Sequence, residues 1–147
     1  MAEETIKRLY DALDRRDGDG AAACYTDDAV FEDPAFGRLE GGAVKDMWRM
    51  LCERSDDLRV DLVEHGGDWA HWSAAYTFGA TGRNVVNDIH SRFVFDGDLI
   101  REQVDSFSLR RWGGQALGRR GTVLGSAGLL GRAVRKQARG QLEQYRS

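Results

Sequence analysis

Cysteine is scarce in this sequence, with only Cys24 and Cys52 among 147 residues. The two residues lack the spacing of zinc ligands, and each lies in a helical pattern. A chain of this length can bury a core without disulfides or metal. We therefore interpret both cysteines as buried thiols in a reducing cytosol.

Long apolar runs and a strong net charge are also missing. No run approaches the roughly 18–20 apolar residues of a membrane span, and the best candidate, 122–130, is short and lies in a glycine-rich stretch. The acidic N-terminus has no apolar core of a signal peptide, so we expect a cytoplasmic protein. The net charge of −3 gives no case for a nucleic-acid partner.

Charge is distributed unevenly along the chain. Residues 113–147 carry a net charge of +6 and residues 1–112 a net charge of −9. We therefore expect a domain over 1–112 and a glycine-rich, basic C-terminal extension over 113–147, with a loop or a short helix within 113–131 and then a final helix. Charge complementarity predicts that this helix docks on the acidic domain. Its predicted apolar face consists of Val134, Ala138, Gln141, Leu142 and Tyr145.

Hydrophobic periodicity predicts helices first and strands after them. Apolar residues recur with helical spacing from Ile6 to Leu13 and from Val44 to Leu51, which is typical of helices with one buried face. From Leu58 on the period is two, as in a half-buried strand, and Asp96-Gly97 is a hairpin turn signal. Helices followed by an antiparallel meander predict an α+β fold with helices on one face of a curved sheet.

Alternation along the predicted hairpin, strands 84–95 and 99–111, separates two faces. The inward set is apolar with a few polar members, as in a ligand pocket: Asn87, Ile89, Ser91, Phe93, Phe95, Gln103, Asp105, Phe107 and Leu109. Asp105 is the informative member, because an inward carboxylate is costly unless it is hydrogen-bonded or catalytic. The outward set is polar and small, and it predicts a homodimer about a two-fold axis.

The stretch 25–34, YTDDAVFEDP, resembles the first-strand signature of the SnoaL-like and ketosteroid isomerase-like branch of the nuclear transport factor 2-like superfamily. Other pieces stand where that family has them: a helix with Met47-Trp48 after a Gly-Gly loop, the strand 72–78 and the hairpin around 95–97. The order of elements agrees over about residues 3–112. The resemblance implies a cone-shaped fold, in which N-terminal helices pack on a strongly curved antiparallel sheet that encloses a small apolar pocket.

Asp33 is the candidate general base. In the family that the chain resembles, the aspartate of Glu-Asp-Pro is the base, and Asp33 occupies that position. A carboxylate at the lip of an apolar pocket also has its charged form disfavoured, which raises its pKa toward that of a useful base. The alternative is that Asp33 accepts backbone hydrogen bonds in a turn, as Asp-Pro often does.

The chain departs from the isomerase pattern at the tyrosine and the protonated aspartate that stabilise the dienolate in those enzymes. Leu9 stands at the tyrosine position, with Tyr10 beside it, and Ser91 stands at the aspartate position. An oxyanion hole is therefore absent or rebuilt from Tyr76, Ser91 or Asn87. The predicted substrate-binding residues are Tyr10, Trp48, Trp72, Tyr76, Asn87, Ser91, Phe93, Gln103 and Phe107.

The sequence predicts neither a metal nor another cofactor. His65, His71 and His90 do not cluster at the spacing of metal ligands. The glycine-rich segments lack the Lys-Ser/Thr ending of a phosphate loop.

The leading hypothesis is a cofactor-independent enzyme that transfers a proton, in an isomerisation or cyclisation, on a small apolar ketone, lactone or polyketide-like substrate. Asp33 would be the base, and Asp105, Asn87 and Tyr76 would bind or polarise the substrate. Two alternatives stay open. One is water activation by Tyr76, Asn87 and Asp105, as in relatives of limonene epoxide hydrolase, and the other is a non-catalytic module that binds a small ligand.

Overall fold

Helices flank a single six-stranded sheet in the computed structural model, which describes residues 2–119 and 127–147. In chain order the elements are α1 (Ala2–Asp14), α2 (Gly18–Ala22), β1 (Tyr25–Asp33), β2 (Gly37–Glu40), α3 (Gly42–Arg54), β3 (Arg59–His65), β4 (Trp69–Phe78), β5 (Arg83–Asp96), β6 (Leu99–Ser106), α4 (Leu109–Leu117) and α5 (Ala127–Arg146).

The main core lies between the sheet and helices α1 and α3. The periodicity predicted for both helices is confirmed, because Ile6, Leu9 and Val44 are fully buried and Met47 lies with them. Apolar side chains at this spacing are removed from water on one helix face only, which fixes how the helix lies on the sheet. The two cysteines are free and buried, as expected.

The sheet has the strand order β2-β1-β6-β5-β4-β3. The α+β class is confirmed, but a purely antiparallel sheet is wrong, because β1 and β6 pair in parallel. A parallel pair needs a long connection between its strands, and here residues 34–98, from β2 to β5, lie between them. Alternation on β5 is confirmed: Asn87, Ser91 and Phe93 are buried, whereas His90 is exposed.

The predicted last strand is too long. β6 ends at Ser106, and Leu109, which alternation placed on the inward face of that strand, is the first residue of α4. Ser108 ends the strand pattern because its hydroxyl caps α4, accepting a hydrogen bond from the Arg111 backbone N–H at 3.1 Å. Within 113–131, predicted as a loop or a short helix, the structure has the end of α4 and the start of α5. The part at 120–126 lies outside the described residues.

The C-terminal helix docks on the domain, as the charge asymmetry predicts. α5 buries Leu130, Val134 and Leu142, whereas Gln141, predicted on that face, is exposed. The Arg139 guanidinium donates to the backbone carbonyls of Phe36 and Arg38 at 2.8 and 2.9 Å. The Arg146 guanidinium also pairs with Asp46 of α3 at 3.0 Å. Docking therefore combines apolar burial, guanidinium–carbonyl hydrogen bonds and a surface ion pair, which attracts weakly.

α4 and α5 together form a second small core at one end of β4 and β5, around Val85, Trp112 and Ala116. Ala35, directly after the Asp33-Pro34 pair, packs against both cores. The domain boundary predicted between residues 112 and 113 falls inside α4 and stays a prediction. None of the helices in the described part of the chain is long and apolar enough to cross a membrane.

Candidate active site

Two carboxylates meet on the inward face of the sheet where β1 and β6 run side by side. In this parallel pair Phe31 lies opposite Gln103 and Glu32 opposite Val104. Asp33 and Asp105 are the next residues on the two strands, and they are close enough for the charge of Asp33 to raise the pKa of Asp105. Because adjacent strands lie about 4.8 Å apart, the two side chains belong to one site, although 71 positions separate them in the sequence.

Asp33 ends β1 and forms the turn that follows it. Its Oδ1 accepts hydrogen bonds from the backbone N–H groups of Ala35 and Phe36, at 3.0 and 2.6 Å. Pro34 has no N–H, so the next two residues supply the donors. The turn role weighed as an alternative is therefore confirmed, and it orients the carboxylate. Arg139 of α5 steadies the same turn by bonding to the Phe36 carbonyl.

Asp105 is the end point of a buried hydrogen-bond network. Its Oδ1 accepts hydrogen bonds from the Ser91 hydroxyl at 2.5 Å and from the Gln103 side-chain amide at 2.9 Å. Asp105 is only 6 % exposed, and Gln103 and Ser91 are 0 % and 1 % exposed. Two donors on a carboxylate compensate part of the cost of burying it.

The Ser91 hydroxyl has one donor and two acceptor positions, and all three are used. It donates to Asp105 and accepts from Tyr10 Oη at 2.9 Å and from Trp72 Nε1 at 2.8 Å. Tyr10, one step from the position that the family pattern gave to a tyrosine, thus reaches the site through Ser91. These contacts bring together three of the predicted binding residues, Tyr10, Trp72 and Ser91.

A second branch reaches Asp105 from α3. Trp48 Nε1 donates to Tyr25 Oη at 2.8 Å, Tyr25 donates to Gln103 Oε1 at 2.5 Å, and Gln103 donates to Asp105. An indole N–H can only donate, so Trp48 fixes Tyr25 as its acceptor and Trp72 fixes Ser91 as its acceptor. Both branches end at Oδ1 of Asp105, which accepts from Ser91 and from Gln103.

Sequence reasoning missed Tyr25, which is 1 % exposed and links Trp48 to Gln103. The register of β1 against β6 shifts between Tyr25 and Val30. This irregularity breaks the alternation that would assign Tyr25 to a face. The available signal was a large polar aromatic residue at the start of the strand that carries Asp33.

Burial raises the pKa of both carboxyl groups. Desolvation raises the pKa of Asp33 to about 6, although the backbone N–H groups of Phe36 and Ala35 lower it. Desolvation raises the pKa of Asp105 to about 7, the hydrogen bonds from Ser91 and Gln103 oppose this, and the charge of Asp33 adds to it. Two acids that share one site and differ in environment can hold different protonation states near neutral pH.

The remaining predicted binding residues lie on β4, on β5 and just after β6. Asn87 and Phe93 are buried on the inward face of β5. Tyr76 Oη accepts a hydrogen bond from Trp112 Nε1 of α4 at 2.7 Å, and desolvation raises the pKa of Tyr76, to which the charge of Asp33 also contributes. Phe107 lies just after β6 and packs against both cores.

Two surface recesses, of about 170 and 280 Å³, open elsewhere on the molecule, and neither is lined by Asp33 or Asp105. The first lies by Val30, Arg38 and Val104, and the second lies by Asp88, Ser106 and Arg111. The apolar pocket implied by the family resemblance therefore stays a prediction. Asp33 is the more accessible of the two acids, because it is only partly buried.

The expectation about the histidines is wrong in part. The register of β4 and β5 places His71 directly opposite His90, and the two rings stack with centroids 4.4 Å apart. With Asp88 they form a group whose ligand atoms all lie within 4.8 Å of one another. The sequence spacing did not predict this cluster, because the two histidines are 19 positions apart and become neighbours only when β4 pairs with β5.

Residues 6–103, two thirds of the chain, match the family model of the SnoaL-like domain. The chain belongs to the SnoaL-like domain family. The resemblance inferred from the sequence is thereby confirmed, and the matched residues include both Asp33 and the strands that carry the inward network. Asp105 and the C-terminal helices lie just beyond the match. Comparison with curated proteins gives no match.

Solved structures share the fold at low sequence identity. An LEH-like epoxide hydrolase of Mycobacterium tuberculosis is 23% identical over 84% of this chain and 92% of its own, with a TM-score of 0.66. A hypothetical protein with a ketosteroid isomerase-like fold from Catenulispora acidiphila, solved with trimethylamine, is 16% identical over 77% and 92%, with a TM-score of 0.63.

The epoxide hydrolase/cyclase-like enzyme SalBIII, described in relation to pyran ring formation in the polyether salinomycin, is 13% identical over 73% of this chain and 90% of its own. Its TM-score is 0.63. At these identities the comparisons show a common fold, and one fold hosts many reactions. The chemistry of this member must be argued from its own residues.

Proposed function

We propose that this SnoaL-like protein is a cofactor-independent enzyme that moves a proton on a small apolar ketone or polyketide-like substrate, in an isomerisation or cyclisation. The observation that carries the proposal is the pair Asp33 and Asp105, two inward carboxyl groups whose pKa values burial raises to about 6 and about 7. A catalytic acid or base works best when its pKa lies near the working pH.

The two environments favour different roles. The backbone N–H groups of Ala35 and Phe36 hold the Asp33 carboxylate in its charged form near neutral pH, which suits a general base. Asp105 is buried more deeply, and the charge of Asp33 favours its protonated form. With Oδ1 occupied by Ser91 and Gln103, a proton on Oδ2 can be donated to a substrate oxygen, which would stabilise an enolate.

Water activation is the second candidate, and Asp105 favours it as well. A buried carboxylate that is held by two fixed donors can orient a water molecule, and Asn87 and Tyr76 lie on the neighbouring inward positions of β5 and β4. This reaction would open a small apolar epoxide to a diol. A small epoxide in ¹⁸O-labelled water separates the two candidates, since water activation forms a diol that carries one ¹⁸O and proton transfer on a ketone forms no diol.

Proton exchange on simple ketones tests the leading proposal. A panel of small cyclic ketones is incubated with the protein in D₂O, and loss of the α-proton signals is followed by ¹H NMR. Exchange should exceed the rate in buffer. The exchange rate should rise as Asp33 ionises, with a pKa of about 6, and fall as Asp105 loses its proton, with a pKa of about 7. Because the two groups interact, the midpoints seen in the rate profile describe the pair together. Exchange equal to buffer at every pH would contradict the proposal.

The outer face of the sheet supports a homodimer. Val86, Val94 and Val104 are 57%, 42% and 45% exposed there, among exposed polar side chains of β5, and such a mixed face suits a two-fold interface. Light scattering at micromolar concentration should give twice the chain mass of 16.4 kDa. Val94→Asp should shift the mass toward the monomer, and a monomeric mass for the wild type would refute the dimer.

A further inference from the structure

A cluster of two histidines and an aspartate stands on the outer face of the sheet, away from the inward carboxylates. His90 and Asp88 lie two residues apart on β5, so they share a face. His71 of β4 pairs directly with His90. His71 Nε2 and Asp88 Oδ1 are 2.5 Å apart, and the two imidazole rings are nearly parallel, at 9°.

We propose that His71, Asp88 and His90 bind a divalent first-row transition-metal ion such as Zn²⁺. Two imidazole nitrogens and a carboxylate oxygen are a donor set that such ions take, whereas Mg²⁺ prefers oxygen ligands. Zinc–ligand bonds of about 2.0–2.2 Å put ligand atoms roughly 3.3 Å apart. The present ligand atoms lie within 4.8 Å of one another, so side-chain rotation on a fixed sheet closes the site.

The surroundings supply a further carboxylate and give an ion access to the cluster. His71 pairs with His90 of β5 on one side and with Glu64 of β3 on the other. Glu64 therefore adds a carboxylate next to the cluster on the outer face. The recess of about 280 Å³ lined by Asp88, His90, Ser106 and Arg111 opens beside the cluster. That recess leaves room for water or another oxygen ligand to complete the coordination of an ion held by three protein ligands.

Zinc titration by calorimetry, on tag-free protein in chelator-free buffer, tests the site. One Zn²⁺ should bind per chain, and Mg²⁺ should give no signal. Loss of a group that merely orients a metal ligand already costs about 10–100-fold in affinity. His90→Asn and Asp88→Asn should therefore each raise the Kd for zinc by at least about tenfold. Melting curves of the metal-free variants check that these exposed positions leave the fold intact.

His65 provides the matched control, since it is the third histidine and lies outside the cluster at the end of β3. His65→Gln should bind zinc as the wild type does. In ¹H–¹⁵N spectra of the imidazoles, zinc should shift the signals of His71 and His90 and leave those of His65 in place. The proposal is overturned if the wild type takes up no zinc, if half an ion binds per chain, or if His90→Asn binds as tightly as His65→Gln.

Discussion

Asp33→Asn should keep the fold and slow α-proton exchange by about 100- to 10,000-fold, the usual cost of losing a general base. The asparagine oxygen can still accept the N–H groups of Ala35 and Phe36 that the Asp33 carboxylate accepts, so the turn should persist. What the variant lacks is a basic oxygen. The rate of ketone exchange in D₂O, measured beside the melting temperature, separates the loss of chemistry from a loss of structure.

Asp28→Asn is the matched control for that variant. Asp28 lies on the same strand, is exposed, and loses the same charge on substitution. The Asp28→Asn variant should exchange the α-protons of the ketone at the wild-type rate. If Asp33→Asn does the same, Asp33 is only a turn-forming residue and the isomerase-like mechanism is excluded. If Asp105→Asn is as slow as Asp33→Asn and the wild type turns a small epoxide into a diol that carries one ¹⁸O from water, the water-activation mechanism replaces it.

Asp105→Asn should gain stability over the wild type as the pH rises. Burial raises the pKa of Asp105 from its ordinary 3.8 to about 7, so between these values the folded state holds a proton that the unfolded state has lost. The free energy of unfolding of the wild type therefore falls across this window, and the fall ends above it. Since one pKa unit is about 1.4 kcal/mol, the full difference is about 4 kcal/mol.

The measurement is urea unfolding of both proteins from about pH 4 to about pH 8. The free energy of unfolding of Asp105→Asn relative to wild type should rise by about 4 kcal/mol over that range. The carboxyl groups other than Asp33, which is coupled to Asp105, contribute equally to both proteins. Glu102→Gln, at an exposed position of the same strand, should show no comparable change. A constant difference between Asp105→Asn and wild type would mean that Asp105 titrates at an ordinary pKa.

The sequence predicts the parts of the site that depend on local pattern. Strict alternation on β5 identified Asn87, Ser91 and Phe93 as inward, because neighbouring side chains of a strand must point to opposite faces. The Glu-Asp-Pro motif identified Asp33, whose turn follows from the missing N–H of Pro34. The inward position of Asp105 followed from the same alternation on β6.

What the sequence could not predict depends on pairing between distant segments. The parallel register of β1 and β6 brings Asp33 to Asp105, and no local pattern encodes which strands become neighbours. The β4–β5 register likewise joins His71 to His90. At Ser108 two local preferences competed, because the strand pattern continued past β6 while the serine was also a helix cap, and the cap prevailed.

The central claim is that two inward carboxyl groups exchange their protons near neutral pH, and a ¹³C NMR titration of the Asp33 and Asp105 carboxyl carbons tests it without any substrate. The account predicts midpoints near pKa values of about 6 and about 7. It also predicts a lower midpoint for Asp105 in Asp33→Asn, where the neighbouring charge is gone. Midpoints for both groups near the ordinary 3.8 would contradict the claim.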